Sequence, residues 1–345
     1  SFDKDFVPSE KLIPMLSNKS NYVTHYRNLK FYIEHDLKIT KIHKILSFSR
    51  SFWMRNYIEL NTENRKRAVD EFEKDFFKVM NNAVFGKTIE NVRHRIQIKV
   101  VTKENRFKKL AAKPSCKFSI RVNNDLVMVN MGQPKLLLNK PIYVGFSILD
   151  ISKTLIYKFH YDTVMKRYGP DNAKLLFTDT DSLCYQIETE DLYKDMSQMI
   201  DEFDTSNYPV EHPLFSKTNA KVLGKFKDET ASVPPIEFIG LKSKMYSLLV
   251  TPSDPAKLAA KGGKRSWVEA NLRHDTFRDV LFKKAVTYAD FQKFVSKNHS
   301  MHTTLLHKKC LDAFDDKRYL LDDGISSLSY GHMEIPLAKR RRLAE

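Results

Sequence analysis

The chain has 345 residues, 42% of them hydrophobic, with 23 Phe and 15 Tyr against only ten Gly and 13 Pro. That is long for one compact core and apolar enough to build two or three subdomains, which excludes a disordered or collagen-like chain. Lys and Arg number 58 against 42 Asp and Glu, a formal charge of +16, and this surplus points to a polyanionic partner, nucleic acid before an anionic membrane.

Cys116, Cys184 and Cys310 are odd in number, far apart and in no C-x-x-C, which fits a reducing compartment and no zinc site. No run of about 18 apolar residues exists, so no membrane span is expected. The chain opens without Met or a signal peptide and reads as a piece of something longer. Residues 1–20, with Pro8 and Pro14, read as a loop or extended arm. Tyr22, Tyr26, Leu29 and Ile33 fall at helical spacing. Ile39, Ile42, Ile45 and Leu46 predict a strand with a bend, and Ser51 to Leu60 a second short helix. Asn61-Thr62 then offers a helix start.

One long helix is predicted over 63–85. At about 100° per residue, Val69, Phe72, Phe76, Met80 and Ala83 make an apolar back. Lys66, Lys74, Lys78, Asn82 and Phe85 share the other side, within an arc of roughly 160°. Asp70 is the only acid in that lysine row. Cations so arranged repel one another unless an anion sits among them, and a triphosphate suits the place.

Gln97 to Thr102 and Leu126 to Met131 read as strands, the second entered by an Asn123-Asn124-Asp125 turn, with a basic stretch from Arg106 to Lys117 between them. A long apolar helix is predicted over 143–168, packed behind the stretch that follows, its Phe and Leu residues core. Glu188 to Asp204 reads as an acidic surface helix, followed by a loop at Pro209 and Pro213. Leu223 to Glu229 and Phe238 to Leu248 read as two adjacent strands, with Lys244 and Tyr246 on one face because they are two residues apart. Helix is predicted again over 275–297. Asp322-Asp323-Gly324 is a turn. Lys339 to Arg342 is either a nuclear import signal or a solvated basic tail.

Between these pieces lies Leu175-Leu176-Phe177-Thr178-Asp179-Thr180-Asp181-Ser182-Leu183-Cys184-Tyr185. It alternates as strand, acidic tip, strand, which is a β-hairpin presenting two carboxylates and hydroxyls to hard cations such as Mg²⁺. A D-x-D is common, and another stands at Asp3 and Asp5 with no such frame. Phosphoryl transfer uses a carboxylate pair of this kind, because two metal ions about 4 Å apart clamp both the attacking and the leaving oxygen.

Three motifs, in this order, resemble those of family B DNA polymerases. The family's K-x-x-x-N-S-x-Y-G is met by Lys78-Val79-Met80-Asn81-Asn82-Ala83-Val84-Phe85-Gly86, with Ala83 for Ser and Phe85 for Tyr. Its Y-x-D-T-D-S is met by Phe177 to Ser182, and its K-x-Y by Lys244-Met245-Tyr246. The wording around them, NNAVFGKTIEN, FTDTDSL and GLKSKMYSL, is most similar to the protein-primed branch of Polinton/Maverick elements and related viruses.

The resemblance implies an α+β right-hand architecture with an antiparallel palm sheet and helical fingers and thumb, incomplete at the N-terminus. It implies a partial palm and arm over 1–46, fingers over 47–95 and an insertion over 96–140. The palm would run over 141–250, the thumb over 251–335 and a basic tail over 336–345. Asp181 and Asp179 would be the catalytic metal ligands, for two Mg²⁺ with Mn²⁺ as an alternative. Lys66, Lys74 and Lys78 would hold the incoming deoxynucleoside triphosphate, with Asn82 and Phe85 at the nascent base pair. Gly86, Lys244 and Tyr246 would contact primer-template DNA. The activity implied is template-directed nucleotidyl transfer to a primer end, with a terminal protein as a candidate primer and no membrane partner. Its place would be the nucleus or a viral replication site of a eukaryotic host.

The family's other metal-binding Asp lies in D-x-x-S-L-Y-P, and residues 1–65 contain no such motif, nor an exonuclease-like D-x-E. This stretch alone is therefore expected to be impaired in two-metal chemistry. The rival expectation is a non-catalytic DNA-binding remnant of such a polymerase. A different Mg²⁺-dependent phosphotransferase is disfavoured by the lack of a Gly-rich phosphate loop.

Overall fold

Asp70 decides the first departure from the predicted elements. The structure is a computed structural model that describes residues 12–252, 256–297 and 300–335. In it the helix expected over 63–85 is two helices. The first spans Arg55–Arg67 and the second Glu71–Thr88. Ala68 turns extended, with ψ 131°. Asp70 caps the next helix by accepting from Glu73 N at 2.8 Å, and Glu73 reaches back to Val69 N at 3.2 Å. An aspartate followed three residues on by a glutamate stabilises a helix start better than a helix interior. Asn61 and Thr62, expected to begin a helix, lie inside the first one.

The chain divides into two units. One holds 23–163 with 294–302, the other the described parts of 1–22, 164–293 and 303–345. The whole is α+β, with helices beside several small sheets.

The first unit begins with α1 (Tyr26–Glu34), then α2 (Arg55–Arg67) and α3 (Glu71–Thr88). Residues 37–52, all described, form neither helix nor strand. The strand predicted through Ile39 and Leu46 is absent because nothing among the described residues pairs with its backbone. Helices α2 and α3 are tied by Tyr57 Oη donating to Met80 O at 3.1 Å and Asn61 Nδ2 to Asn81 Oδ1 at 2.9 Å. The expected apolar back is not what α3 buries. Val69, Phe72 and Phe76 are exposed, while Thr88 is buried.

Next come β1 (Gln97–Val101), α4 (Glu104–Ala111), β2 (Cys116–Asn123) and β3 (Leu126–Met131). The strands pair antiparallel in the order β1-β3-β2, with Val101, Val129 and Met131 as a small core against α4. The predicted turn at Asn123 is present, Asn123 Oδ1 accepting from Asp125 N at 2.9 Å.

Helix α5 (Ile142–Lys158) continues through a π-helical stretch, Phe159–Met165. Its buried members include Gly145, Asp150 and Ile156; of the Phe and Leu residues expected as core, Phe159 is buried whereas Leu149 and Leu155 are exposed. Asp150 holds the start of α1, accepting from Thr24 Oγ1 and His25 N at 3.0 and 2.7 Å. Gly145 allows α5 to approach the end of α3, since a Cβ there would stand 2.4 Å from Ile89 Cγ2 and 2.6 Å from Thr88 Oγ1.

The second unit runs through α6 (Lys166–Asn172), β4 (Ala173–Asp179), β5 (Ser182–Ile187) and α7 (Leu192–Gln198). The acidic helix predicted from Glu188 is thus shorter, and Asp191 caps it from Tyr193 N and Lys194 N. Strands β6 (Phe203–Asp204) and β7 (Phe226–Lys227) pair in parallel, so the strand expected over 223–229 is two residues long. Nor does it adjoin the next one. Phe238 to Leu248 is a hairpin rather than a single strand, β8 (Glu237–Lys242) folding back on β9 (Met245–Leu249), with β10 (Lys257–Ala260) on the other side.

Helices α8 (Arg265–Asn271) and α9 (His274–Phe282) follow, then a two-stranded ribbon, β11 (Thr287–Lys297) and β12 (Ser300–Leu311). Helix was predicted to Lys297; the β-prone Thr287, Tyr288, Phe291, Phe294 and Val295 form a strand instead. One core joins these elements: Ile239, Leu241, Met245, Val268, Leu272, Phe277, Val280, Cys310 and Leu311. Short strands β13 (Tyr319–Leu320) and β14 (Ser327–Leu328) flank the predicted turn, where Gly324 has φ +67° and Asp323 accepts from Ile325 N and Ser326 N. The basic tail at 339–342 and the D-x-D at Asp3 and Asp5 lie outside the described residues. No described helix is long and apolar enough to cross a membrane.

Candidate active site

Strands β4 and β5 pair so that Asp179 faces Ser182, leaving Thr180 and Asp181 as a two-residue tip. Thr180 takes φ +61°, a left-handed conformation that a β-branched residue seldom adopts. Asp181 N donates to Asp179 O at 2.7 Å, Thr180 Oγ1 to Asp179 Oδ1 at 3.2 Å, and Ser182 Oγ to Asp179 O at 3.2 Å. The hydroxyls of D-T-D-S therefore order the tip. The Asp181 carboxylate is exposed and accepts no bond among the described residues.

Pairing passes from Leu175 opposite Tyr185 directly to Phe177 opposite Cys184, a bulge at Leu176. Bulges re-aim the strand end that follows them. Beyond it Phe177 and Asp179, two residues apart, share one face. Burial pushes the Cys184 thiol up, which lowers its thiolate fraction at neutral pH.

The second hairpin meets that face. Its turn is Ser243-Lys244, with Lys244 at φ +58°. Lys244 Nζ lies 3.1 Å from Asp179 Oδ2, and the Tyr246 ring stacks on Phe177 at 4.5 Å between centroids. The expectation that Lys244 and Tyr246 share a strand face fails, because Lys244 belongs to the turn. Both still reach the D-T-D-S hairpin, by different routes. Phe238 completes the contact, 5.5 Å from Phe177 and 6.0 Å from Tyr246. Its ring lies over Gly240, the cross-strand partner of Tyr246, where a Cβ would meet Phe238 Cε1 at 2.9 Å. Sequence reasoning missed Phe177 and Phe238 as this brace. The signal was present in the placement of Phe177 two residues before Asp179.

The other predicted residues lie in the first unit. Lys74, Lys78, Asn82, Phe85 and Gly86 are on α3, and Lys66 is on α2. The unbalanced lysine row is not found. Lys66 pairs with Glu63 at 3.2 Å and Lys74 with Glu71 at 2.6 Å. Lys78 is exposed and has no acidic partner among the described residues. Asn82 is exposed and Phe85 half-buried, and nothing lies within 4 Å of a Cβ built at Gly86.

No group of three or more His, Cys, Asp or Glu gathers as a metal site among the described residues. Asp179 and Asp181, with the hydroxyls between them, are hard oxygen donors that suit Mg²⁺. The Lys244 ammonium already rests on Asp179 as a cation, so the donor set fits a metal but supplies only two carboxylates of it.

A second constellation carries no chemistry. Ser247 Oγ is 2.6 Å from His274 Nδ1, and His274 Nε2 is 3.3 Å from Glu237 Oε2. Ser247 is fully buried, so no substrate reaches it, and the contact ties β9 to α9. Arg278 first, then His274, holds the Glu237 carboxyl below its usual range.

Compared with family models, curated proteins and solved structures, the chain matches none.

Proposed function

We propose that the chain carries fingers, palm and thumb segments of a family B DNA polymerase of the protein-primed type, extending a primer end by template-directed nucleotidyl transfer. The observation that carries this reading is the meeting of the D-T-D-S and K-x-Y hairpins through Asp179–Lys244 and Phe177–Tyr246. A carboxylate pair beside a basic, aromatic hairpin is what a reacting 3′ end and a triphosphate require.

Asp181 and Asp179 would hold Mg²⁺, with Mn²⁺ as an alternative; bound there, it would polarise the phosphoryl oxygens and lower the pKa of the attacking hydroxyl. Lys244 neutralises charge at the same hairpin contact, and the Tyr246 ring, held by Phe177 and Phe238, presents an apolar surface to the primer end. Lys78 places a free ammonium for the triphosphate, with Asn82 and Phe85 along the same helix. The chain's charge of +16 supports duplex binding dominated by phosphate contacts. A terminal protein as primer, and a nuclear or viral replication site in a eukaryotic host, belong to this proposal.

One observation favours a second reading, a DNA-binding remnant without catalysis. The 345 residues hold no D-x-x-S-L-Y-P. Primer extension with Mg²⁺ separates the two. The expected result is extension by a longer chain carrying that motif ahead of residue 1, and none by its Asp181→Asn variant, which still binds the primer-template. Undiminished extension by Asp181→Asn overturns the metal assignment. DNA binding without extension in every such chain supports the remnant.

A further inference from the structure

Glu90 of the first unit is crowded by cations. Three cations converge on it: Lys87 at 3.0 Å, Arg95 at 2.7 Å and Lys140 at 3.3 Å. Other acids of that unit that form ion pairs, such as Glu59, Glu63 and Glu104, hold one cation each among the described residues. The node therefore keeps a surplus of two positive charges. Arg95 grips Glu90 with both Nε, at 2.8 Å, and Nη2. That planar fork fits a carboxylate or a phosphate equally well.

The node is built on fixed elements. Lys87 is in the last turn of α3, Arg95 lies two residues before β1, and Lys140 two residues before α5. Thr88 and Val92 between them are buried, and Gly145 lets α5 close on Thr88 and Ile89. The Glu90 and Lys140 side chains are only 23% and 21% exposed, while Lys87 and Arg95 stay open to solvent at 66% and 42%, so a half-buried carboxylate and ammonium hold the centre of the node and two accessible cations form its rim. Arg95 first, then Lys87, holds the Glu90 carboxyl far below the usual carboxylate range, consistent with an anion already seated among them.

We propose that Lys87, Arg95 and Lys140 form a binding site for the phosphodiester backbone of nucleic acid, with Glu90 occupying the phosphate's place until the strand displaces it. A backbone suits better than a single triphosphate because the charge continues along the chain. From Lys87 to Arg121 there are eleven Lys and Arg against two acids, Glu90 and Glu104. The proposal rests on the reading that nucleic acid is the partner, not on catalysis at Asp181.

The test is fluorescence anisotropy of labelled duplex and single-stranded oligonucleotides over a salt series, with the full chain. Glu90→Gln is expected to tighten binding by about three-fold or more, since it removes the competing anion. Lys140→Gln and Arg95→Met are expected to weaken it and to lower the salt slope by about one phosphate's worth. Glu269→Gln, an exposed acid paired with Arg265, serves as the control and should change little. A folded Glu90→Gln that binds no more tightly than wild type overturns the proposal, as does an equal gain in Glu269→Gln or wild type that binds neither oligonucleotide. If extension fails even for the longer chain carrying D-x-x-S-L-Y-P while Glu90→Gln still tightens binding, the catalytic reading gives way to the remnant and this site stands.

Discussion

Lys244 Nζ stands 3.1 Å from Asp179 Oδ2, joining the tips of two hairpins that are remote in the chain. Both side chains are about half exposed, so the pair contributes at most about 1 kcal/mol. Its consequence is chemical rather than structural, because an ammonium and a divalent ion compete for the same oxygen. Lys244→Met should bind Mn²⁺ a few-fold more tightly, read as free Mn²⁺ by electron paramagnetic resonance. Identical titrations for the two proteins would show that Asp179 is not the shared ligand.

Thr180 holds φ +61° at the acidic tip and bonds Asp179 through its hydroxyl at 3.2 Å. Glycine takes that conformation without a side-chain clash. Thr180→Gly should raise the unfolding free energy by about 1 kcal/mol, read as a higher urea midpoint. Thr180→Val keeps the strain and loses the bond, so its midpoint should fall. Equal midpoints for all three would mean that the tip stores no strain.

The three lysines assigned to the triphosphate are not equivalent. Lys66 and Lys74 are ion-paired on their own helices, while Lys78 has no acidic partner among the described residues. In a chain that extends primers, Lys78→Ala should raise the nucleotide KM and lower kcat more than Lys66→Ala or Lys74→Ala. Steady-state kinetics showing the reverse order would remove Lys78 from the site.

The Asp195 carboxyl lies below its usual range, chiefly through the Thr189 hydroxyl at 2.6 Å and then Arg167 at 2.5 Å. A depressed value means that this stabilisation is complete above the unfolded pKa of about 3.9 and is lost as pH falls through the folded one. The stability gap between wild type and Asp195→Asn should therefore be constant above about pH 5 and shrink below about pH 4. A gap that widens on acidification would mean that the ionised carboxylate is not what Arg167 and Thr189 hold.

How much could be read beforehand depended on how local each feature is. The D-T-D-S hairpin, the strands at Gln97 and Leu126, and the turns at Asn123 and Asp323 all emerged where alternation and turn chemistry placed them. The helix expected over 63–85 failed locally too. Its periodicity was real, but Asp70 with Glu73 outweighed it by offering two capping bonds. The helix expected to Lys297 and the strand expected at Ile39 failed for another reason, since their patterns suit more than one partner.

By itself, then, the sequence determined the α+β character, the acidic tip between two strands and the excess of positive charge. These depend on neighbours a few residues apart. Only the tertiary structure decided that Lys244 sits in a turn on Asp179, that Phe177, Phe238 and Tyr246 form one aromatic brace, and that three cations converge on Glu90. Which cation meets which carboxylate depends on how separate elements pack against each other, and no spacing within one element encodes that.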